Sequence, residues 1–354
     1  MSTSTAGLKA SRTWSLPLPP RAGGTFEYSE IAKVGDAFIS HVPNEAIVFV
    51  ASCASGEVLD RPNLKKVFGA ATAALNFVST DAGWFGRLPD AEWKGYIVFW
   101  RPLDGAWRRV AICAGPWLTS DGKRAMALDG TRLLQFEPGG CCHAKEIALG
   151  RELRTSERPV LVGDRLFVMA HGDGNVRPTL VTIDVGRGRI ESDKPMIGGL
   201  DEVPAFASSY KVIKAGGAAI HIMVLDVKGS SAGQFDLSWG AVGRVGAVIG
   251  NTLWLPMGGQ CGLNSEPWRL DAFELPKGKR VASVPLSIRY CSWTALLPSD
   301  RLAVGGVGAD VVDLKSKRSY KVAGLSKWGN AAVAGIGESI IAVHTREIAC
   351  YELE

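Results

Sequence analysis

Nowhere in this chain of 354 residues is there an uninterrupted apolar run approaching the roughly 18 needed to cross a bilayer as a helix. Met1 to Ala10 has no basic stretch leading into an apolar core, so no secretory signal is expected. Asn-x-Ser/Thr is absent, and the 7 cysteines are odd in number, scattered, and set in a chain far too long to need covalent staples. Together these absences predict a soluble protein in a reducing, cytoplasmic setting, with no membrane partner.

Chemical signatures are missing as well. The chain lacks Cys-x-x-Cys, His-Glu-x-x-His and an Asp-rich calcium loop, and nothing in it points to a bound metal. Cys141-Cys142-His143 resembles a ligand set, but adjacent strand residues point to opposite faces, so each Cys reads as a small buried hydrophobe. Gly305-Gly306-Val307-Gly308 precedes a strand where a phosphate cradle must open a helix, and no Gly-x-Ser-x-Gly elbow exists. No catalytic residue and no cofactor is therefore expected. The net charge of +5 comes from basic residues spread as pairs (Lys65-Lys66, Arg108-Arg109, Lys123-Arg124), where a nucleic-acid binder would cluster them on one face.

What is abundant is Gly, at 42 residues, and a turn signal of a small residue with an acidic or polar partner. It occurs at Gly35-Asp36, Thr80-Asp81, Ser120-Asp121, Gly163-Asp164, Gly216-Gly217, Gly250-Asn251, Ser299-Asp300 and Gly337-Glu338. Successive second members lie 45, 40, 43, 53, 34, 49 and 38 residues apart. Each signal leads into a nearly continuous apolar run such as Leu166-Phe167-Val168-Met169 or Ile340-Ile341-Ala342-Val343, the pattern of a strand buried on both faces. A third strand follows in most repeats. Near its end an Asp recurs, at 184, 226, 271 and 313, and an alternating fourth strand opening on a basic residue comes next.

These repeats resemble β-propeller blades of the quinoprotein and WD40 kind, without the Trp-Asp closure or the docking Trp of either group. The resemblance covers about Arg12 to Glu354 and implies an all-β closed propeller of four-stranded antiparallel blades, with no activity attached. Eight blades are favoured. Seven result if the irregular second repeat, around Ala82-Gly83-Trp84-Phe85-Gly86, shares a blade with the first. The last repeat ends after its third strand, and Arg12-Thr13-Trp14-Ser15-Leu16-Pro17-Leu18 matches the fourth-strand pattern of Arg280-Val281-Ala282-Ser283-Val284-Pro285-Leu286. The N-terminal strand is thus expected to complete the final blade, with residues 1–10 as a flexible tail.

Functional groups are expected in the connections between second and third strands, which share one face. Candidates are Trp84, Arg87 and Trp93 in the second repeat, His171, Asp173 and Arg177 in the fourth, Gln260 and Asn264 in the sixth, and His344 and Arg346 in the eighth. His41 ends the second strand of the first repeat. Trp beside Arg is a protein-binding composition, so the expected role is a non-catalytic scaffold binding another protein, with nucleic acid disfavoured. The alternatives are a small-molecule or carbohydrate enzyme using His41, His171 and His344, and a glycan-binding propeller.

Overall fold

The computed structural model describes residues 7–18, 31–42, 47–69, 76–115, 117–138, 144–171, 178–196, 198–216, 220–237, 245–261, 264–325, 332–343 and 347–354. Strands dominate it. The single described helix is five residues long, Leu64–Phe68, capped by the Asn63 side chain and closed by Gly69, and it follows the outer strand of the first blade.

Each blade runs from an inner strand outward. Blade 1 is Ala32–Val34, Ala37–Val42, Ile47–Ser52 and Val58–Asp60; blade 2 is Asn76–Thr80, Gly83–Pro89, Tyr96–Pro102 and Arg108–Cys113. Blade 3 is Leu118–Ser120, Ala125–Asp129, Arg132–Phe136 and Lys145–Ala148; blade 4 is Val160–Val162, Arg165–Ala170, Thr179–Asp184 and Arg189–Pro195. Blade 5 comprises Gly199–Val203, Tyr210–Gly216, Ile220–Asp226 and Ser231–Leu237. Blade 6 comprises Ala247–Ile249, Thr252–Cys261, Asn264–Glu274 and Lys279–Pro285, with the short strand Ala205–Phe206 added in parallel to its inner edge. In blade 7, Tyr290–Leu297 pairs with the first part of Arg301–Asp313, whose last part pairs with Arg318–Ala323. Blade 8 takes Ala332–Ile336, Ser339–Val343 and Glu347–Leu353 from the C-terminus and Leu8–Pro17 from the N-terminus.

The terminal strand pairs antiparallel from Ala10↔Leu353 to Pro17↔Glu347, so the expected closure is present. It begins earlier than the sequence predicts. Leu8 to Ala10, assigned to a tail, lie in the strand, where Leu8↔Val322 and Lys9↔Ala323 pair in parallel with the outer strand of blade 7. One strand therefore joins blades 7 and 8 into a single seven-stranded sheet.

The blade number follows from the packing. Among the described residues the buried apolar side chains form eight clusters, and each lies between two neighbouring blades. Alternation along the strands explains this. In blade 1, Ala37 and Ile39 face Phe77 and Trp84 of blade 2, while Phe38 faces Ile341 and Cys350 of blade 8. Eight interfaces favour eight blades over seven, although blades 7 and 8 share one sheet and the sheets themselves therefore number seven. The second repeat, irregular as Ala82 to Gly86 reads, has its own complete blade.

Turn chemistry sets the register. Gly35, Gly163, Gly250 and Gly337 occupy equivalent first-to-second turns with φ between 54° and 56°, which a side chain would strain. Two assignments differ from the sequence reading. Gly216-Gly217 is not a first-to-second turn: Tyr210–Gly216 is already the second strand, and Ile220–Asp226 is the third. The true equivalent is Ser208-Ser209, where the Ser208 hydroxyl accepts from the Tyr210 N–H at 3.0 Å. Ser209 lies 45 residues after Asp164 and 42 before Asn251, so the outlying intervals of 53 and 34 disappear. Likewise Asp184, Asp226 and Asp313 end third strands and accept backbone N–H groups of the following turn, at 2.8 Å from Arg187, Lys228 at 2.9 Å and Ser316 at 2.8 Å. Asp271 lies mid-strand, bonded to Arg269 and Ser283, and Glu274 holds the strand-end position in blade 6.

Candidate binding face

Because every blade alternates strand direction, the second-to-third connections and the blade-to-blade crossings emerge on one face, and the first-to-second and third-to-fourth turns on the other. The site residues expected from sequence distribute accordingly.

Trp93 belongs to the loop face. It lies between Pro89 and Tyr96 of blade 2, with a positive φ of 59° and 61% of its surface exposed. The Asp90 carboxylate organises this loop by accepting the N–H groups of Glu92 at 3.1 Å and Lys94 at 2.9 Å, and Lys94 pairs with Glu92 at 2.5 Å. Below it, Arg87 is only 6% exposed and stacks on Tyr96 at 4.5 Å and Trp117 at 5.2 Å. A guanidinium held between two rings is rigid and desolvated, so it supports the loop more than it contacts a ligand.

Trp84 does not join them. It sits at the opposite end of the same strand, fully buried between blades 1 and 2, with Nε1 donating to the Ala32 carbonyl at 2.9 Å. The sequence places it beside an exposed connection because Gly83 and Gly86 look like loop residues. In the strand, glycine at 86 makes room for the Phe99 and Phe77 rings.

The crossing from blade 3 to blade 4 adds residues that the sequence reading overlooks. Arg158 donates to the carbonyls of Leu118 and Phe77, both at 3.2 Å, tying the inner strands of blades 2 and 3 together. Glu157 accepts the Leu200 N–H of blade 5 at 2.8 Å, and Asn76 accepts that of Leu118 at 2.9 Å. His171, at the end of its second strand, is exposed, and its Nε2 is 2.8 Å from the Ser156 hydroxyl. His41 is buried, with its ring 5.9 Å from that of Phe77. These contacts join residues 15 to 81 positions apart, so no linear motif announces them.

In blade 6 the expected loop is a hairpin extension: Gly259↔Glu266, Gln260↔Ser265 and Cys261↔Asn264 pair beyond the body of the sheet, placing Gln260 and Asn264 on the loop face. Asp173, Arg177, His344 and Arg346 lie outside the described residues. The loop face thus carries Trp93 in blade 2, His171 in blade 4 and the hairpin through Gln260 and Asn264 in blade 6. No cluster of His, Cys, Asp or Glu suited to a metal occurs among the described residues. Cys53, Cys113, Cys291 and Cys350 are buried, and burial pushes the Cys113 and Cys291 thiols up to about 12 and Cys53 to about 11, too high for a reactive thiolate. No described helix is long and apolar enough to cross a membrane.

No protein-family model matches the chain, and no curated protein is similar to it in sequence. Solved structures are similar in fold. The structure of apo AztD from Citrobacter koseri superposes with a TM-score of 0.57 at 12% identity, over 90% of this chain and 96% of that one. The Dos1 propeller does so with a TM-score of 0.60 at 9% identity, over 98% of this chain and 94% of its own. At such identities the likeness speaks of architecture alone, and it agrees with the strand order, the interblade clusters and the terminal closure: the chain is a β-propeller.

Proposed function

We propose that this propeller is a non-catalytic interaction scaffold that binds another protein on its loop face, with the Trp93 loop as a principal contact. Trp93 carries the reading: a large aromatic side chain held in solvent by an Asp90-organised turn, in the blade where buried Arg87 stacks on half-buried Tyr96 and Trp117. A rigid exposed aromatic loses little entropy on docking and buries much area, which is the profile of an interface anchor. Lys94 and Glu92 supply a polar rim, and the blade 6 hairpin a second arm. The test is affinity capture from native extract with the full chain, comparing wild type with Trp93→Ala. We expect a partner recovered by wild type and depleted about tenfold or more by the variant, in line with an anchor residue. Recovery of the chain alone at gentle salt, or equal recovery by both, contradicts the proposal.

One observation favours a second reading. The Ser156 hydroxyl and His171 Nε2 are within hydrogen-bond reach, the arrangement of a nucleophile with its base. No carboxylate among the described residues hydrogen-bonds the other ring nitrogen, so the group that orients the base in a hydrolytic triad is lacking there, and the scaffold reading stands first. Labelling of Ser156 by a fluorophosphonate, abolished by His171→Ala, would reverse that order.

A further inference from the structure

The short helix Leu64–Phe68 lies against the outer part of blade 2, and a row of rings fixes it there. Leu64 is buried between blades 1 and 2, and Phe68, one turn on, stacks on Phe99 with centroids 5.3 Å apart. Phe99 in turn meets Trp107 at 5.5 Å. Packing on that side turns Lys65, Lys66 and Val67 outward, and all three are exposed. Across the seam stands the outer strand of blade 2. Its Arg109 is the cross-strand partner of Phe99 and its Ile112 that of Ile97, so both lie on the face that Phe99 presents to the helix. Arg109 is exposed, and Ile112 and Val67 show 49% and 52% of their surface to solvent. Two basic pairs far apart in the sequence, Lys65-Lys66 and Arg108-Arg109, therefore flank one seam.

Other blades answer such cations with acids. Asp184 stands across from Arg189 in blade 4, Glu274 from Lys279 in blade 6 and Asp313 from Arg318 in blade 7, whereas the cross-strand partners of Arg108 and Arg109 are Trp100 and Phe99. Neither these arginines nor Lys65 and Lys66 have an ion-pair partner among the described residues. The carboxylates near by do not make up the difference. Asp60 is bonded to Trp107 and Arg101, and Glu57 and Asp104 belong to turns. With Arg61 and Arg101, residues 57–69 and 101–113 hold six cations against these three carboxylates, and the balance stays positive when Asp90, Glu92 and Lys94 of the Trp93 loop are added. A cation on an edge strand also deters strand pairing, but Lys65 and Lys66 lie on a helix, and exposed Val67 and Ile112 do nothing to that end. Unpaired cations beside bare apolar groups suit a chain that carries carboxylates and apolar side chains together. A polynucleotide would meet the charges and leave Val67 and Ile112 uncovered, since Phe68 and Phe99 already stack on each other.

We propose that the seam between the helix Leu64–Phe68 and the strand Arg108–Cys113 binds an acidic protein segment, its carboxylates on Lys65, Lys66 and Arg109 and its apolar side chains on Val67 and Ile112. Ile112 Cγ2 lies 3.2 Å from the point where a side chain at Gly95 would begin, so the seam runs up to the Trp93 loop. An acidic, partly apolar segment is thus the chemistry of the partner in the scaffold reading, on which this proposal rests. The test is fluorescence anisotropy of the full chain with a labelled peptide of Asp-Leu-Glu repeats, beside Asp-Gly-Glu and Lys-Leu-Lys peptides and a single-stranded RNA of equal length. Saturable binding of the Asp-Leu-Glu peptide is expected, about tenfold or more tighter than of any control. Lys65→Glu/Lys66→Glu and Arg109→Glu, all at exposed side chains, should each weaken it about tenfold, with thermal melts showing that the fold persists. No saturable binding, undiminished binding by both folded variants, equal binding of the glycine peptide, or tighter binding of the RNA overturns the proposal. Capture with Trp93→Ala is read without these peptides, so the two failures are distinct: a partner that needs Trp93 yet is kept by Arg109→Glu and Lys65→Glu/Lys66→Glu leaves the scaffold standing and removes the seam.

Discussion

At the scale of single residues, this propeller is stitched by a few charged side chains that cross from one blade to the next. Asp60, at the outer end of blade 1, accepts from Trp107 Nε1 at 2.7 Å and from Arg101 Nε at 3.3 Å, both in blade 2. Arg101 also donates to the carbonyls of Pro102 and Leu103 and lies over the Trp84 and Trp107 rings, at 5.7 Å each. Removing the carboxylate leaves a nearly buried guanidinium and an indole N–H short of their acceptor, and hydrogen bonds to charged groups contribute roughly 1.5–3 kcal/mol each. Asp60→Ala should therefore lower stability by about 2 kcal/mol, measured by urea unfolding. A change within experimental error would show the knot to be ornamental. None of this is legible in sequence, since Asp60 and Trp107 are 47 positions apart and neither belongs to a recognisable motif.

Blades are where the sequence speaks most clearly, because alternation, turn residues and burial all repeat. The second strands of blades 1, 4, 6 and 8 are marked by glycine turns whose positive φ leaves few other choices. The fifth repeat misleads because Gly216-Gly217 imitates a turn at the wrong end of the second strand, while the real connection runs through Ser208 and Ser209, where the Ser208 hydroxyl accepts the Tyr210 N–H without any glycine. Asp271 misleads in a related way, three residues from the strand end that Glu274 occupies. At that strand-end position in blade 7, the Ser316 N–H and hydroxyl and the Lys315 N–H and charge hold the Asp313 carboxyl below the usual range, against slight desolvation. The folded state thus favours ionised Asp313 more than the unfolded chain does. Its stabilising contribution is complete above the ordinary carboxylate value and is lost as pH falls through the lowered one. The stability difference between wild type and Asp313→Ala should stay constant from neutral pH to about 5 and shrink below that. A difference that persists undiminished into strong acid would place the effect in packing instead.

For the whole molecule, what the strands build is a ring with two unlike faces. The loop face carries Trp93 and the blade 6 hairpin, and the turn face carries the Asp121–Arg124–Asp164 bridge between blades 3 and 4. The sequence directs attention to the loop face alone, because turns read as punctuation and their meeting around the channel is visible only once the blades are arranged radially. All of this rests on closure: the strand Leu8–Pro17 must cover the edge of Glu347–Leu353, or blade 8 ends in an open row of hydrogen-bonding groups that invites association. The measurement that reaches this most directly is a designed cross-link between Ser11 and Glu352, which face each other in the terminal pairing. Paired antiparallel residues lie about 4.5–5.5 Å apart at Cα, within the span of a disulfide. Ser11→Cys/Glu352→Cys should oxidise within one chain at any dilution and give a single linked peptide by mass spectrometry after digestion. Free thiols at these two positions, or links formed only between molecules, would contradict the closed ring.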